Sequence, residues 1–292
     1  MINNIFRYLF IIFILIIFNS CSFKNTGGFF KDGLKELELE NYKKNSKLVF
    51  SVQNQFSKEI SGNIIKKIDK PILIKDWKQV NFSSSNTIPH FIYEKQNELI
   101  YKSKKIGKNK FGLSTFIFEP LFLNNQIFFF DFSGNIYNFS INRKNLNWKF
   151  NFYKKRYKNL PIAKKLIISG NNLIVADNIG YIYSINIETG KLNWAKNYGI
   201  PFKSNIKIDN QNIIILNQDN KYYSIKTSDG VQNLSLETFP SFLKTKHGSN
   251  ISLDTNKKNV YFITSNGELY SLNYKQNIIN WISTIAQGTA SQ

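Results

Sequence analysis

The sequence predicts an all-β protein assembled from repeated four-stranded units, on three observations. From about residue 120 one pattern recurs four times: an apolar run, a polar turn, an alternating strand, a second turn and a closing large residue. The turn positions Gly134, Gly180, Asn220 and Gly267 lie 46, 40 and 47 residues apart. Each is followed 14 residues later by its closing residue, Trp148, Trp194, Leu234 and Trp281 in turn.

Each element has a physical reason. Runs such as Ile127–Phe130, Leu173–Ala176, Ile213–Leu216 and Val260–Ile263 are short and apolar throughout, as strands buried on both faces are. Gly or Asn follows because a tight hairpin needs a residue that tolerates positive φ. The next strand alternates, as in Ile182-Tyr183-Ser184-Ile185. A second turn, Glu188-Thr189-Gly190-Lys191 in the clearest copy, leads to the strand that ends in Trp. A weaker strand such as Ser204–Ile208 is expected to complete the unit. Four strands in about 45 residues make one blade of a β-propeller, which needs neighbours on both faces. Residues 77–120 read as an earlier, degenerate blade, with Lys102–Gly112 as a basic loop. That gives about five blades. The last unit stops soon after Trp281 with no closing strand, so the chain is expected to be the front part of a longer ring.

The N-terminus reads as a sorting signal. Tyr8–Phe18 is an unbroken apolar run of eleven residues, too short to span a bilayer. Asn19, Ser20 and Cys21 follow. The single Cys of the chain stands directly after the apolar run, which resembles a bacterial lipoprotein signal. On that reading residues 1–20 are removed and Cys21 is acylated. Ser22 fits passage to the outer membrane. Phe18 departs from the usual Leu, and an ordinary signal peptide with an incidental Cys is the alternative. Residues 21–76 read as a lipidated tether and variable lead-in, and 77–292 as the propeller repeats.

The copy Asp177–Trp194 resembles the pyrroloquinoline-quinone-type (PQQ-like) propeller repeat. In that family the Trp docks on the neighbouring blade, so Trp148, Trp194 and Trp281 are expected to be structural, with Gly134, Gly180 and Gly267 at the turns. A lipoprotein signal joined to such repeats resembles the BamB family, the propeller lipoproteins of the outer-membrane β-barrel assembly machinery. Trp77-Lys78-Gln79 with Asn86 and His90, Ile106-Gly107-Lys108, Tyr198–Phe202, Asp219-Asn220-Lys221 and Gly267-Glu268-Leu269 carry the likeness. The resemblance implies an eight-bladed, non-catalytic scaffold that binds periplasmic domains of the barrel-forming subunit. It also implies a partner-contact loop at Phe242, Leu243, Lys246 and His247, where an apolar anchor adjoins a cation. The family has Arg where Lys246 stands, which weakens a bidentate contact. An ordinary inter-blade loop is the alternative there.

Composition narrows the remaining classes. The chain has 292 residues, a formal charge of +20 and 39 Lys+Arg against 19 Asp+Glu. Only three bases are Arg, while Asn numbers 40 and Ala five. Such a bias fits drift in an AT-rich genome, so the charge is weak evidence for nucleic acid, and an export signal argues against it. Lys102–Lys110 and Lys154–Lys165 read as solvated basic runs that could meet anionic lipid or acidic domains. One Cys and two His leave no Cys-based zinc site or His-rich metal centre. No cofactor or catalytic residue is expected. A quinone-dependent dehydrogenase shares the repeat, but it needs a calcium-ligand cluster and usually a vicinal Cys pair. Asp131 and Asp177 recur at one repeat position, which marks a turn role. A propeller lipoprotein with another cell-envelope ligand remains the alternative function.

Overall fold

The computed structural model describes residues 68–93, 99, 101–108, 110–111, 114–115, 119–153, 157, 160–239 and 250–285. After a two-stranded pair, β1 (Lys110–Phe111) and β2 (Ser114–Thr115), four antiparallel sheets follow. The first is β3 (Leu121–Leu123), β4 (Gln126–Phe130), β5 (Asn135–Ser140) and β6 (Asn145–Asn151). The second is β7 (Lys164–Ser169), β8 (Asn172–Asp177), β9 (Tyr181–Asn186) and β10 (Leu192–Asn197). The third is β11 (Lys207–Asp209), β12 (Asn212–Leu216), β13 (Tyr222–Lys226) and β14 (Gln232–Leu236). The fourth is β15 (Ile251–Asp254), β16 (Asn259–Ile263), β17 (Glu268–Asn273) and β18 (Ile278–Thr284). Strand order within every sheet follows the chain, so each is an up-and-down blade of a β-propeller. The weak strand expected to complete a unit instead opens the next one, since β11 pairs with β12 rather than β10.

The apolar runs of the two middle blades are buried on both faces, and their successive residues serve different cores, whereas those of the first and fourth blades bury alternate residues. Leu173 and Val175 of β8 pack into a cluster with Phe128 and Ile136 of the first blade. Ile174 and Ala176 of the same strand pack into a second cluster with Ile213 and Ile215 of the third. Ile214 and Leu216 turn the other way, onto Val260 and Phe262 of the fourth. The core is therefore three apolar seams, one between each pair of neighbouring blades. Period-2 alternation sends every second side chain into each seam.

All four blades share one irregularity. The pairing of the third and fourth strands slips at the residue before the closing Trp or Leu. That residue is Asn147, Asn193, Asn233 or Asn280. In each blade its amide donates across the sheet to the residue 21 positions earlier: Gln126, Asn172, Asn212 or Asn259. Asn193 and Asn280 donate also to the hydroxyls of Ser184 and Ser271, both fully buried. The bulge thus pins the outer strand in register.

The degenerate blade expected over 77–120 is not built as a four-stranded sheet among its described residues. Residues 77–86 form a strap across the first strands of all four blades instead. Trp77 exchanges two backbone hydrogen bonds with Phe122 of β3. The Lys78 carbonyl accepts from the Ile168 amide of β7. The Ser83 carbonyl accepts from Nζ of Lys207 on β11 at 2.8 Å. The Ser84 carbonyl accepts from the Leu253 amide of β15, and the Asn86 amide donates to the Ile251 carbonyl. Asn81, Phe82 and Asn86 have positive φ, which breaks any continuous strand. Tyr101 is stacked on Phe139, with its hydroxyl donating to the Lys144 carbonyl.

Replacing Asn193 by Ala removes both amide bonds and strands the buried Ser184 hydroxyl. The expected loss is about 1–3 kcal/mol of unfolding free energy, read from chemical denaturation.

Candidate functional site

The recurring turn position consumes its own polar groups. Asp131 Oδ1 accepts from the Asn135 amide, and its Oδ2 accepts from Asn135 Nδ2, Tyr137 Oη and the Lys108 amide. Asp177 Oδ1 accepts from the Ile179 and Tyr181 amides, and Oδ2 from Tyr153 Oη. Asn217 Oδ1 accepts from the Asp219 and Lys221 amides. Gly134, Gly180 and Gly267 sit at φ +83°, +100° and +77°, with Asn220 at +63°, as the turns require. These carboxylates are turn locks, as their recurrence indicated.

The tryptophans clamp one blade to the next. Trp148 Nε1 donates to the Ile187 carbonyl at 2.8 Å, and Trp194 Nε1 to the Thr227 carbonyl at 3.0 Å. Each ring lies on the glycine of the following blade's second turn. A Cβ at Gly190 would stand 2.7 Å from the Trp148 ring, and one at Gly230 would stand 2.5 Å from the Trp194 ring. Trp281 holds the same repeat position but is 45% exposed.

A buried polar cluster at the seam of blades one and two escaped the sequence reading. Lys164 opens β7 and is almost fully buried, so the Lys154–Lys165 run is not a solvated face throughout. Its Nζ lies 4.4 Å from the Tyr153 ring centroid and has no hydrogen-bond partner. Burial pushes the Lys164 ammonium down to about 7, against the pull of Asp177 and Asp131. Burial also lowers Lys207, to about 8. The same burial raises the phenols of Tyr153 and Tyr183. A lysine inside a run of bases gives no sequence signal of its own burial. The alternation of β7, whose Lys164, Leu166 and Ile168 share one face, could have given it.

The expected contact residues Phe242, Leu243, Lys246 and His247 lie outside the described residues, as does Cys21. The flanks of the loop are described. Phe239 is 59% exposed and its amide donates to Tyr270 Oη. Glu237 pairs with Lys221 at 2.8 Å, and that bond lowers the carboxyl and raises the amine. Asn205 donates to Asn250 at the far flank. Among the described residues, no three His, Cys, Asp or Glu side chains converge as a metal site.

The lysine cluster sets a pH dependence. Above about pH 7 the unfolded chain keeps a proton on Lys164 that the folded chain releases, so this group's contribution to stability rises with pH. Lys164→Met removes one proton from this linkage. Its stability is therefore expected to rise less steeply than the parent's between about pH 7 and 8.5, with Lys207 still contributing. Denaturation midpoints at several pH values check this.

A sequence profile described as "Outer membrane protein assembly factor BamB" matches residues 133–292. No curated protein matches the chain. Among solved structures, BamB from Moraxella catarrhalis aligns at 14% identity with a TM-score of 0.46, over 56% of this chain and 50% of that one. The quinohemoprotein alcohol dehydrogenase from Comamonas testosteroni aligns at 9% identity with a TM-score of 0.54, over 72% of this chain and 41% of that one. The chain thus spans about half the length of these structures or less, and the second likeness is one of fold alone. With the profile covering more than half of its residues, and with its PQQ-like repeats built as propeller blades, the chain belongs to the BamB family of outer membrane protein assembly factors.

Proposed function

We propose that the protein is a scaffold lipoprotein of the outer-membrane β-barrel assembly machinery, held at the periplasmic face of the outer membrane through Cys21. It works by binding periplasmic domains of the barrel-forming subunit, without a cofactor and without catalysis. Membership of the BamB family carries this reading. The blade chemistry supports it. The carboxylates that recur in the repeats, Asp131 and Asp177, spend their acceptor capacity on their own turns and on Tyr137 and Tyr153. A rigid stack of blades leaves its inter-blade loops free to make contacts, as scaffold surfaces require. In this reading Phe242 and Leu243 are the apolar anchor, while Lys246 and His247 supply the polar rim.

The test is co-purification. The protein carries a C-terminal tag, membranes are extracted gently, and bound proteins are identified by mass spectrometry. Recovery of the barrel-forming subunit is expected. Leu243→Glu together with Lys246→Glu is expected to reduce that recovery at least tenfold, the effect of about 1.4 kcal/mol, with an unchanged circular dichroism spectrum. Well-folded protein that brings down no barrel-forming subunit contradicts the scaffold reading.

A further inference from the structure

One rim of the first blade carries an exposed mixture of aliphatic, aromatic and cationic side chains. The rim is defined by the Asn124–Asn125 turn and the 141–144 turn, joined by the hydrogen bond from the Ile141 amide to the Asn125 carbonyl. Asp76 ties the lead-in to this rim, its Oδ1 accepting from the Asn124 amide. Tyr101 ties a second segment to it through the Lys144 carbonyl. Ile72 pairs in parallel with Phe91 and lies four residues before Asp76, a reach of at most about 14 Å. The two segments therefore meet the same rim.

Their side chains point outward. Ile72 is 48% exposed, Leu73 63%, Phe91 47% and Leu99 81%. Soluble surfaces rarely gather so many large apolar groups without a use for them. Lys70, Lys75, Lys102, Lys104, Lys105, Arg143 and Lys144 belong to the same two segments and the 141–144 turn and are all exposed. Among the described residues two carboxylates accompany these seven cations, Asp69 and Asp76, and Asp76 already has Lys78 at 3.9 Å.

We propose that this rim docks on an anionic lipid surface, with the aliphatic and aromatic side chains entering the headgroup layer and the lysines reaching lipid phosphates. The chemistry selects lipid over the other anionic partners. A nucleic-acid backbone offers no place for Ile72, Leu73 and Leu99. Protein interfaces are depleted in Lys and favour Arg with pocketed aromatics. A lipid interface accepts apolar groups and flexible cations together, because the long stems lie along the hydrocarbon boundary while the charges stay in water. The proposal rests on the lipid-anchored reading, which brings the lead-in to the membrane. Docking would then turn this rim to the leaflet and leave the opposite rim, with Phe239, facing the periplasm.

The experiment uses the chain without residues 1–20 and with Cys21→Ser, which frees it of the apolar signal run and of native thiol. A single cysteine is introduced at Leu99 or, as the control on the opposite rim, at Phe239, and labelled with an environment-sensitive dye. The probes are vesicles of phosphatidylglycerol and of phosphatidylcholine. On phosphatidylglycerol the dye at 99 is expected to shift to the blue and to be quenched by nitroxide lipid, while the dye at 239 stays in water. Each lysine near the surface contributes about fivefold to docking. Lys102→Glu with Lys105→Glu is therefore expected to reduce the docked fraction more than tenfold, and 0.5 M salt to reduce it likewise. A dye at 99 that stays as aqueous as the one at 239 overturns the proposal, as does equal docking on phosphatidylcholine. Recovery of the acylated protein outside the membrane fraction of cells would instead overturn the anchored reading and leave the vesicle result standing.

Discussion

A blade that is apolar on both faces cannot exist alone, and the rest of the structure follows from this constraint. β8 sends Leu173 and Val175 to one neighbour and Ile174 and Ala176 to the other. Neither half can be hidden within the sheet, so blades must stack. Apolar contact fixes that they stack but not how, since dispersion and burial are non-directional. Direction comes from the clamps. Trp148 and Trp194 each combine a ring on a bare glycine with one hydrogen bond to a turn carbonyl. That pairing adds a directional restraint between neighbouring sheets.

The strap adds a second kind of restraint. Its residues 77–86 bond to the first strand of each of the four blades, a contact set separated by up to about 170 residues of sequence. Clamps act near the rim between neighbours, whereas the strap links blades that do not touch. The buried Lys207 is its polar anchor on β11, and burial lowers its affinity for a proton. The blades so tied form the rigid element from which inter-blade loops and rim segments project, and those projections are where the proposed partner and membrane contacts reside.

Much of this was legible in the chain. The 14-residue spacing from turn to Trp named the blades, and the clamp residues stand where the repeat put them. The bulge asparagines were equally periodic, each directly before the closing residue, but a chain with 40 Asn hides a meaningful one among many. The strap could not be read, because Asn81–Thr87 looks like a loop until the strands it bonds are known. Lys164 was legible only through the alternation of β7. Its burial is decided by Tyr153 and Phe130, which reach it from the neighbouring blade. The proposed contact loop at 242–247 and the proposed acylation of Cys21 rest on resemblance to the family.

The clamp account is tested most directly by comparing Trp194→Phe with Trp281→Phe in equilibrium unfolding. The two residues hold one repeat position; among the described residues Trp194 bonds a following turn, while Trp281 is half open to solvent. If the clamp sets blade docking, Trp194→Phe costs about 1–2 kcal/mol and Trp281→Phe changes stability by less than about 0.5 kcal/mol. Equal costs at the two positions would mean that the tryptophans act within their own blades and that the inter-blade bond contributes nothing.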